Sequence, residues 1–237
     1  GAHRKYSGCL FEPGIESLDQ AEHAMLALYA ERARLHDGQR ILDLGCGWGS
    51  FALWAAKRFP SAEIVAVSNS NAQREAIEAM AAQRGLRNLR VQTCDINAFE
   101  PGEKQFDRIV SVEMFEHMRN YRELFARISS WLVDDGRLFV HVFAHKLLAY
   151  PFQDDSESDW MARYFFTGGV MPSANLFAHF QQDLRLRERR DDFQEIVDTR
   201  RCVEVDLHPP HGKGQHLAMH AIAQFRVMNA AQAQEIG

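Results

Sequence analysis

The sequence predicts an α/β protein with a mostly parallel central sheet, helices on both faces and a lid. Short apolar runs alternate with helical-period segments from residue 40 onward, the pattern of successive βα units. A glycine cluster closes the first of those runs, at the strand end where open α/β sheets hold ligands. With 237 residues, 46% of them hydrophobic and 25% charged, the chain is large enough to bury one sizeable core.

Residues 17–35 repeat Leu18, Ala21, Met25, Leu26, Leu28 and Tyr29 at helical spacing behind a Ser17 or Asp19 cap. Asp37-Gly38 marks a turn. A strand over 40–44 is followed by a helix over 50–59 that Pro60 stops. The alternation continues with a strand at 63–67, a helix at 72–84 closed by Gly85, and a strand at 89–93. A fourth strand covers 106–112, a helix 120–132, and a fifth strand 137–143 follows the turn Asp134-Asp135-Gly136. Five parallel strands are expected. Residues 147–166 turn aromatic and acidic, with Tyr150, Phe152, Trp160 and Phe166 among Asp154, Asp155, Glu157 and Asp159, which reads as an insertion or lid.

A net charge of -5 offers no global attraction to phosphate backbones or anionic lipid, so neither nucleic acid nor stable membrane association is expected. Cys9, Cys46, Cys94 and Cys202 lack C-x-x-C spacing and the histidines lack tight ligand spacing, so free thiols and no metal are expected. No apolar run has the length of a membrane span and residues 1–6 have no signal-peptide layout. A cytoplasmic location follows as the expectation. The chain opens on Gly1 rather than Met, as a partial or processed chain would.

The segment Asp43-Leu44-Gly45-Cys46-Gly47-Trp48-Gly49 spaces its glycines differently from the dinucleotide motif G-x-G-x-x-G. It resembles the S-adenosylmethionine-binding loop of Rossmann-like class I methyltransferases. That resemblance implies that Asp43 and the backbone at Gly45, Cys46 and Gly47 meet the methionine end of the cofactor. Where such enzymes carry an acidic residue after the second strand, this chain has Ser68-Asn69-Ser70. Asn69 and Gln73 can replace it at the ribose, since an amide both donates and accepts. Asp95 would then accept from the adenine amine while Ile96 packs on the ring.

Further segments narrow the likeness: Lys5-Tyr6-Ser7-Gly8-Cys9-Leu10-Phe11, Val112-Glu113-Met114-Phe115-Glu116-His117, residues 163–169 and Met171-Pro172-Ser173-Ala174-Asn175. Over residues 4–188 the chain resembles the coclaurine N-methyltransferase branch of the cyclopropane fatty acid synthase superfamily. The resemblance implies cofactor contacts from Tyr6 and Ser7 and a small-molecule amine of the tetrahydroisoquinoline kind as substrate. The length of the chain predicts a single domain over 1–237, comprising a cap segment 1–38, a cofactor-binding core 39–143, a lid 144–182 and a tail 183–237 that is atypical because the resemblance fades after Glu188. A homodimer, the identity of the amine and the number of methyl groups are left open.

Methyl transfer to an ammonium requires a proton acceptor beside the nitrogen. Glu113, Glu116 and His117 follow the fourth strand, and helical spacing there would bring the three side chains together. On that reading Glu116 and His117 form a coupled pair that accepts the proton, while Glu113 orients the cationic nitrogen. The alternative is a surface helix cap. His141 occupies the place of a bicarbonate-binding histidine of the synthases, or is a satisfied core histidine. Tyr150, Trp160 and Phe166 are candidates for a cation–π cage. Two other activities stay open: cyclopropanation of lipid acyl chains, and cofactor binding without turnover. Against cyclopropanation, Gly8 stands where the synthases carry cysteine, and Glu113 where they carry glycine.

Overall fold

The computed structural model describes residues 1–152, 168–190 and 200–209. Helix α1 (Leu18–Arg32) opens on a reciprocal cap: Ser17 Oγ accepts from the Gln20 N–H at 3.3 Å and Gln20 Oε1 accepts from the Ser17 N–H at 3.1 Å. Strand β1 (Arg40–Leu44) leads into α2 (Ser50–Arg58), β2 (Glu63–Ser68) into α3 (Asn71–Gln83), and β3 (Leu89–Thr93) into a short 3₁₀ turn (Ile96–Ala98). Strand β4 (Phe106–Val112), a second 3₁₀ turn (Phe115–His117), α4 (Tyr121–Trp131) and β5 (Leu132–His145) complete the regular alternation. The small hairpin β6 (Tyr150–Pro151) and β7 (Val170–Met171) precedes β8 (Arg185–Arg190) and β9 (Arg200–His208).

Seven strands form one sheet in the order β3-β2-β1-β4-β5-β9-β8. The first five run parallel, and β9 pairs antiparallel with both β5 and β8. On one face α1, α2 and α3 pack through Leu26, Tyr29, Trp54 and Ile77; on the other, α4 packs through Phe125, Ile128 and Trp131. Chain order reverses at β1, whose neighbours are β2 and β4. The loops after β1 and β4 therefore open side by side, at the crevice where ligands bind such sheets.

Two differences from the sequence expectation concern this sheet. Strand β5 begins at Leu132 rather than after the Asp134-Asp135-Gly136 turn, because Leu132 pairs with Phe106 before a register shift and Arg137 with Arg108 after it. The acidic stretch bulges from the ladder with both aspartates exposed. The tail also supplies two strands where five were expected in all. Val205 and Leu207 of β9 are enclosed, and Asp206 forms an ion pair with Arg137 at 2.7 Å. The lid's Trp160 and Phe166 lie outside the described residues. So does the side chain of Cys202; Cys9, Cys46 and Cys94 are free thiols.

Candidate active site

The β1 loop turns through three glycines in the left-handed region, at φ +87 for Gly45, +51 for Gly47 and +80 for Gly49. Beyond conformational freedom, all three lack room for a side chain, a Cβ on Gly49 standing 2.6 Å from Ile77 Cγ1. A Cβ on Gly45 would stand 2.4 Å from Met114 Cγ, and one on Gly47 2.8 Å from the Tyr6 ring. The Gly45 and Cys46 N–H groups both donate to the Val67 carbonyl, at 3.1 and 2.9 Å, which fixes the loop against β2. Cys46 is buried, and burial pushes its thiol pKa up. Asp43 at the end of β1 is enclosed, its Oδ2 has no hydrogen-bond partner among the described residues, and burial raises its carboxyl pKa to about 7.

Two cavities meet around this loop. The larger, about 380 Å³, runs along the carboxyl ends of β1, β2 and β3 past Gly47, Asn69, Gln73, Asp95 and Ile96 to Glu113 and His117. Its volume is within the range of pockets that hold small organic ligands. The smaller, about 40 Å³, lies under Tyr6 and Ser7 and reaches Asp43 and Cys46. Tyr6, Gly45, Gly47 and Glu113 line both. Ser68 Oγ donates to Gln73 Oε1, so the two polar groups at the β2 end orient one another. Asp95 caps the 3₁₀ turn by accepting from the Asn97 N–H at 2.8 Å, with Ile96 half-buried beside it. Every cofactor residue expected from sequence thus borders one cavity or the other.

The expected catalytic trio is placed differently. Glu113 sits at φ +51, a strained conformation for a residue with a Cβ, and its own N–H donates to the His141 carbonyl at 2.8 Å. This turn sends its carboxylate into the junction of the cavities. There Oε1 accepts from the Gly8 N–H at 3.3 Å and lies 3.8 Å from His141 Nε2. His141 is wholly buried on β5, its ring 5.0 Å from that of Tyr29.

Glu116 points the other way. It is wholly buried, with Oε1 accepting from the Phe143 N–H at 2.8 Å and Oε2 without a hydrogen-bond partner among the described residues. Burial, reinforced by the charge of Glu113, raises its pKa well above the usual carboxylate range. His117 is exposed at the rim of the larger cavity, and partial desolvation lowers its pKa. The coupled Glu116–His117 pair expected from spacing is therefore corrected to a Glu113–His141 pair. A 3₁₀ turn follows Glu113 instead of an α-helix, and its adjacent residues 116 and 117 face opposite sides.

Tyr150 is absent from the lining of both cavities; its ring meets those of His145 and Phe152. Sequence reasoning missed Lys5, Trp48, Met114 and Met118, which all line the site. Lys5 Nζ donates to Ser7 Oγ and to the Gly8 carbonyl, bracing the segment that covers it. The run Lys5-Tyr6-Ser7-Gly8 carried that signal in part, as did Val112-Glu113-Met114-Phe115-Glu116-His117 for Met114, whereas Met118 had none.

Comparison with known proteins places this site in a family. The mycolic acid cyclopropane synthetase family matches residues 1–195. (S)-coclaurine N-methyltransferase of Thalictrum flavum subsp. glaucum is 42% identical over 186 residues, 78% of this chain and 51% of that protein. Cyclopropane-fatty-acyl-phospholipid synthase of Escherichia coli (strain K12) is 31% identical over 193 residues, 81% of this chain and 47% of that protein. The chain thus spans about half the length of the curated relatives it matches. The crystal structure of coclaurine N-methyltransferase bound to N-methylheliamine and SAH superposes with a TM-score of 0.81 at 30% identity, covering 88% of this chain and 76% of that one. On the family match and that structure together, the chain belongs to the mycolic acid cyclopropane synthetase family, within which it is similar to the coclaurine N-methyltransferases.

Proposed function

We propose that the protein is an S-adenosylmethionine-dependent N-methyltransferase acting on a small-molecule amine of the tetrahydroisoquinoline kind. The residues at the site fit the cofactor. Gly45 and Gly47 keep the loop backbone bare where a Cβ would strike Met114 or Tyr6, and Asp43 has a buried oxygen with no hydrogen-bond partner among the described residues. In this reading Asp43 and the β1 loop take the methionine end, Asn69 and Gln73 the ribose, and Asp95 and Ile96 the adenine. Tyr6 and Ser7 close over the sulfonium side. When bound, the cofactor supplies a methyl group open to in-line attack by a nitrogen lone pair.

The observation that carries the amine reading is Glu113, a carboxylate facing the junction of both cavities and held there by Gly8 and His141. A negative charge at that point draws a cationic nitrogen into place. Desolvation lowers the pKa of His117 on the same cavity wall, which favours the neutral imidazole that can accept the proton the nitrogen must lose. Glu116, enclosed and turned into β5, holds the Phe143 N–H and supports the loop. Gly8 places no side chain near the site, which leaves the cation-binding carboxylate in command of the junction.

Incubation with labelled S-adenosylmethionine, separately with a panel of cyclic secondary and tertiary amines and with unsaturated phospholipid vesicles, tests the reading. Methylated amine is the expected product. Label in the acyl chains alone would replace it with cyclopropanation, and cofactor binding without either product would reduce the protein to a binder.

A further inference from the structure

We propose that Glu22, on the inner face of α1, is a positioning residue that locks the amino-terminal strap over the cofactor cavity. Its side chain is wholly buried between Ala21 and Met25, themselves core residues. A carboxylate in that setting is costly unless hydrogen bonds satisfy it. The strap provides them: the His3 N–H donates to Oε2 at 2.9 Å and the Lys5 N–H to Oε1 at 3.3 Å. Between the two, Arg4 adopts φ +53, a left-handed turn that aims alternate N–H groups to one side. Concave backbone of this kind binds anions, and here the anion is a side chain of the same molecule.

What the strap carries makes the anchor matter. One residue beyond Lys5, the Tyr6 ring lies against Gly47 and lines both cavities. Ser7 lines the smaller, and the Gly8 N–H donates to Glu113. The strap's far end is fixed to the same helix, Leu10 N–H donating to the Ala21 carbonyl at 3.3 Å. Glu22 touches neither cavity, yet the register of Tyr6, Ser7 and Gly8 over the site is set by the two bonds it accepts. Without them the stretch from His3 to Lys5 loses its hold on the inner face of α1, the bonds of Ala2 to Asp19, Gly8 to Glu113 and Leu10 to Ala21 remain on either side, and the cover over the β1 loop can lift.

This inference rests on reading the covered cavity as the cofactor site, and its test separates the two. Glu22→Leu and Glu22→Gln are compared with the unaltered chain in three measurements. They are S-adenosylhomocysteine affinity by calorimetry, trypsin cleavage after Arg4 and Lys5 followed by mass spectrometry, and steady-state kinetics in cofactor. For Glu22→Leu we expect at least tenfold weaker affinity and at least tenfold faster strap cleavage, with cleavage after Arg58 in α2 unchanged. The cofactor KM should rise while kcat at saturation stays within a few-fold. Glu22→Gln keeps an acceptor oxygen and should recover part of each effect, and it supplies the measurement if the Leu variant does not fold. Unchanged affinity and strap cleavage in both variants would overturn the proposal, as would cleavage that accelerates equally everywhere. If the unaltered chain binds no S-adenosylhomocysteine, the functional reading fails, and strap cleavage alone still decides the role of Glu22.

Discussion

Replacing Asp43 by Asn should uncouple cofactor binding from pH. In the ligand-free protein, burial holds the Asp43 carboxyl at about 7 against an ordinary 3.8, so near neutrality it is close to half protonated. A bound methionine ammonium would stabilise the carboxylate and return its pKa toward the ordinary value. Binding then requires loss of a proton below pH 7, and affinity falls about tenfold for each step of one in pH, or about 100-fold between pH 8 and pH 5. The same displacement acts on folding with the opposite sense. The folded state binds more protons than the unfolded state between the two pKa values, so ligand-free stability is fully present below about pH 4 and declines as pH rises through 7. Raising a carboxyl from 3.8 to about 7 corresponds to about 4 kcal/mol at most. Calorimetric titration with S-adenosylhomocysteine in buffers of differing ionisation enthalpy would count the released proton. Asp43→Asn should bind with little pH dependence and gain stability relative to the parent above pH 7. An affinity for the parent that is flat from pH 5 to 8 would refute the reasoning.

His117→Ala should lower kcat by about 10²–10⁴, the usual effect of removing a general base, and abolish an acid limb that lies below the ordinary imidazole pKa because desolvation lowers it; kcat measured across pH checks both. Glu116→Gln should keep most activity and fold normally, since an amide oxygen can still accept the Phe143 N–H, whereas Glu116→Ala should lose about 1–3 kcal/mol in denaturant unfolding. Because the Glu116 pKa is raised in the folded state, its favourable contribution is lost as pH rises, and Glu116→Gln should gain on the parent in alkali. Gly47→Val places a Cβ 2.8 Å from the Tyr6 ring at φ +51, so S-adenosylhomocysteine affinity should drop at least tenfold; unchanged calorimetry would remove the loop from the site.

Elements with their own local signal were legible in the sequence to within a residue or so. Strands β1, β3 and β4 begin and end where their apolar runs do, and Ser17, Ser70 and Asn120 each cap a helix through their side chains. Elements defined by a partner were not. Arg185-Leu186-Arg187-Glu188-Arg189-Arg190 has too much charge to announce a strand, and forms β8 because it lies at the sheet edge, beyond β9. The run Val203-Glu204-Val205-Asp206-Leu207 did alternate apolar and polar, a period-2 pattern sufficient to propose a strand. Its Asp206 is accommodated inside only because Arg137 on the neighbouring strand neutralises it.

The site divides along the same line. Glycines, Asn69, Gln73 and Asp95 owe their places to strand ends, and strand ends are local. The pairing of Glu113 depended on one torsion that side-chain spacing cannot express. Had Glu113 started an α-helix, residues three and four positions on would have shared its face, and Glu116 with His117 would have formed the polar cluster. At φ +51 the chain instead turns out of β4 with the Glu113 N–H on the His141 carbonyl, placing its carboxylate over β5 beside His141 and under Gly8. The strain of that turn, roughly 1–2 kcal/mol for a residue with a Cβ, is tolerated because a second strand and the strap both hold it. Glycine would relieve the strain and abolish the charge. On the proposed amine reading, the cation that this carboxylate can receive, together with its hold on the Gly8 N–H, accounts for its place at a position that favours glycine.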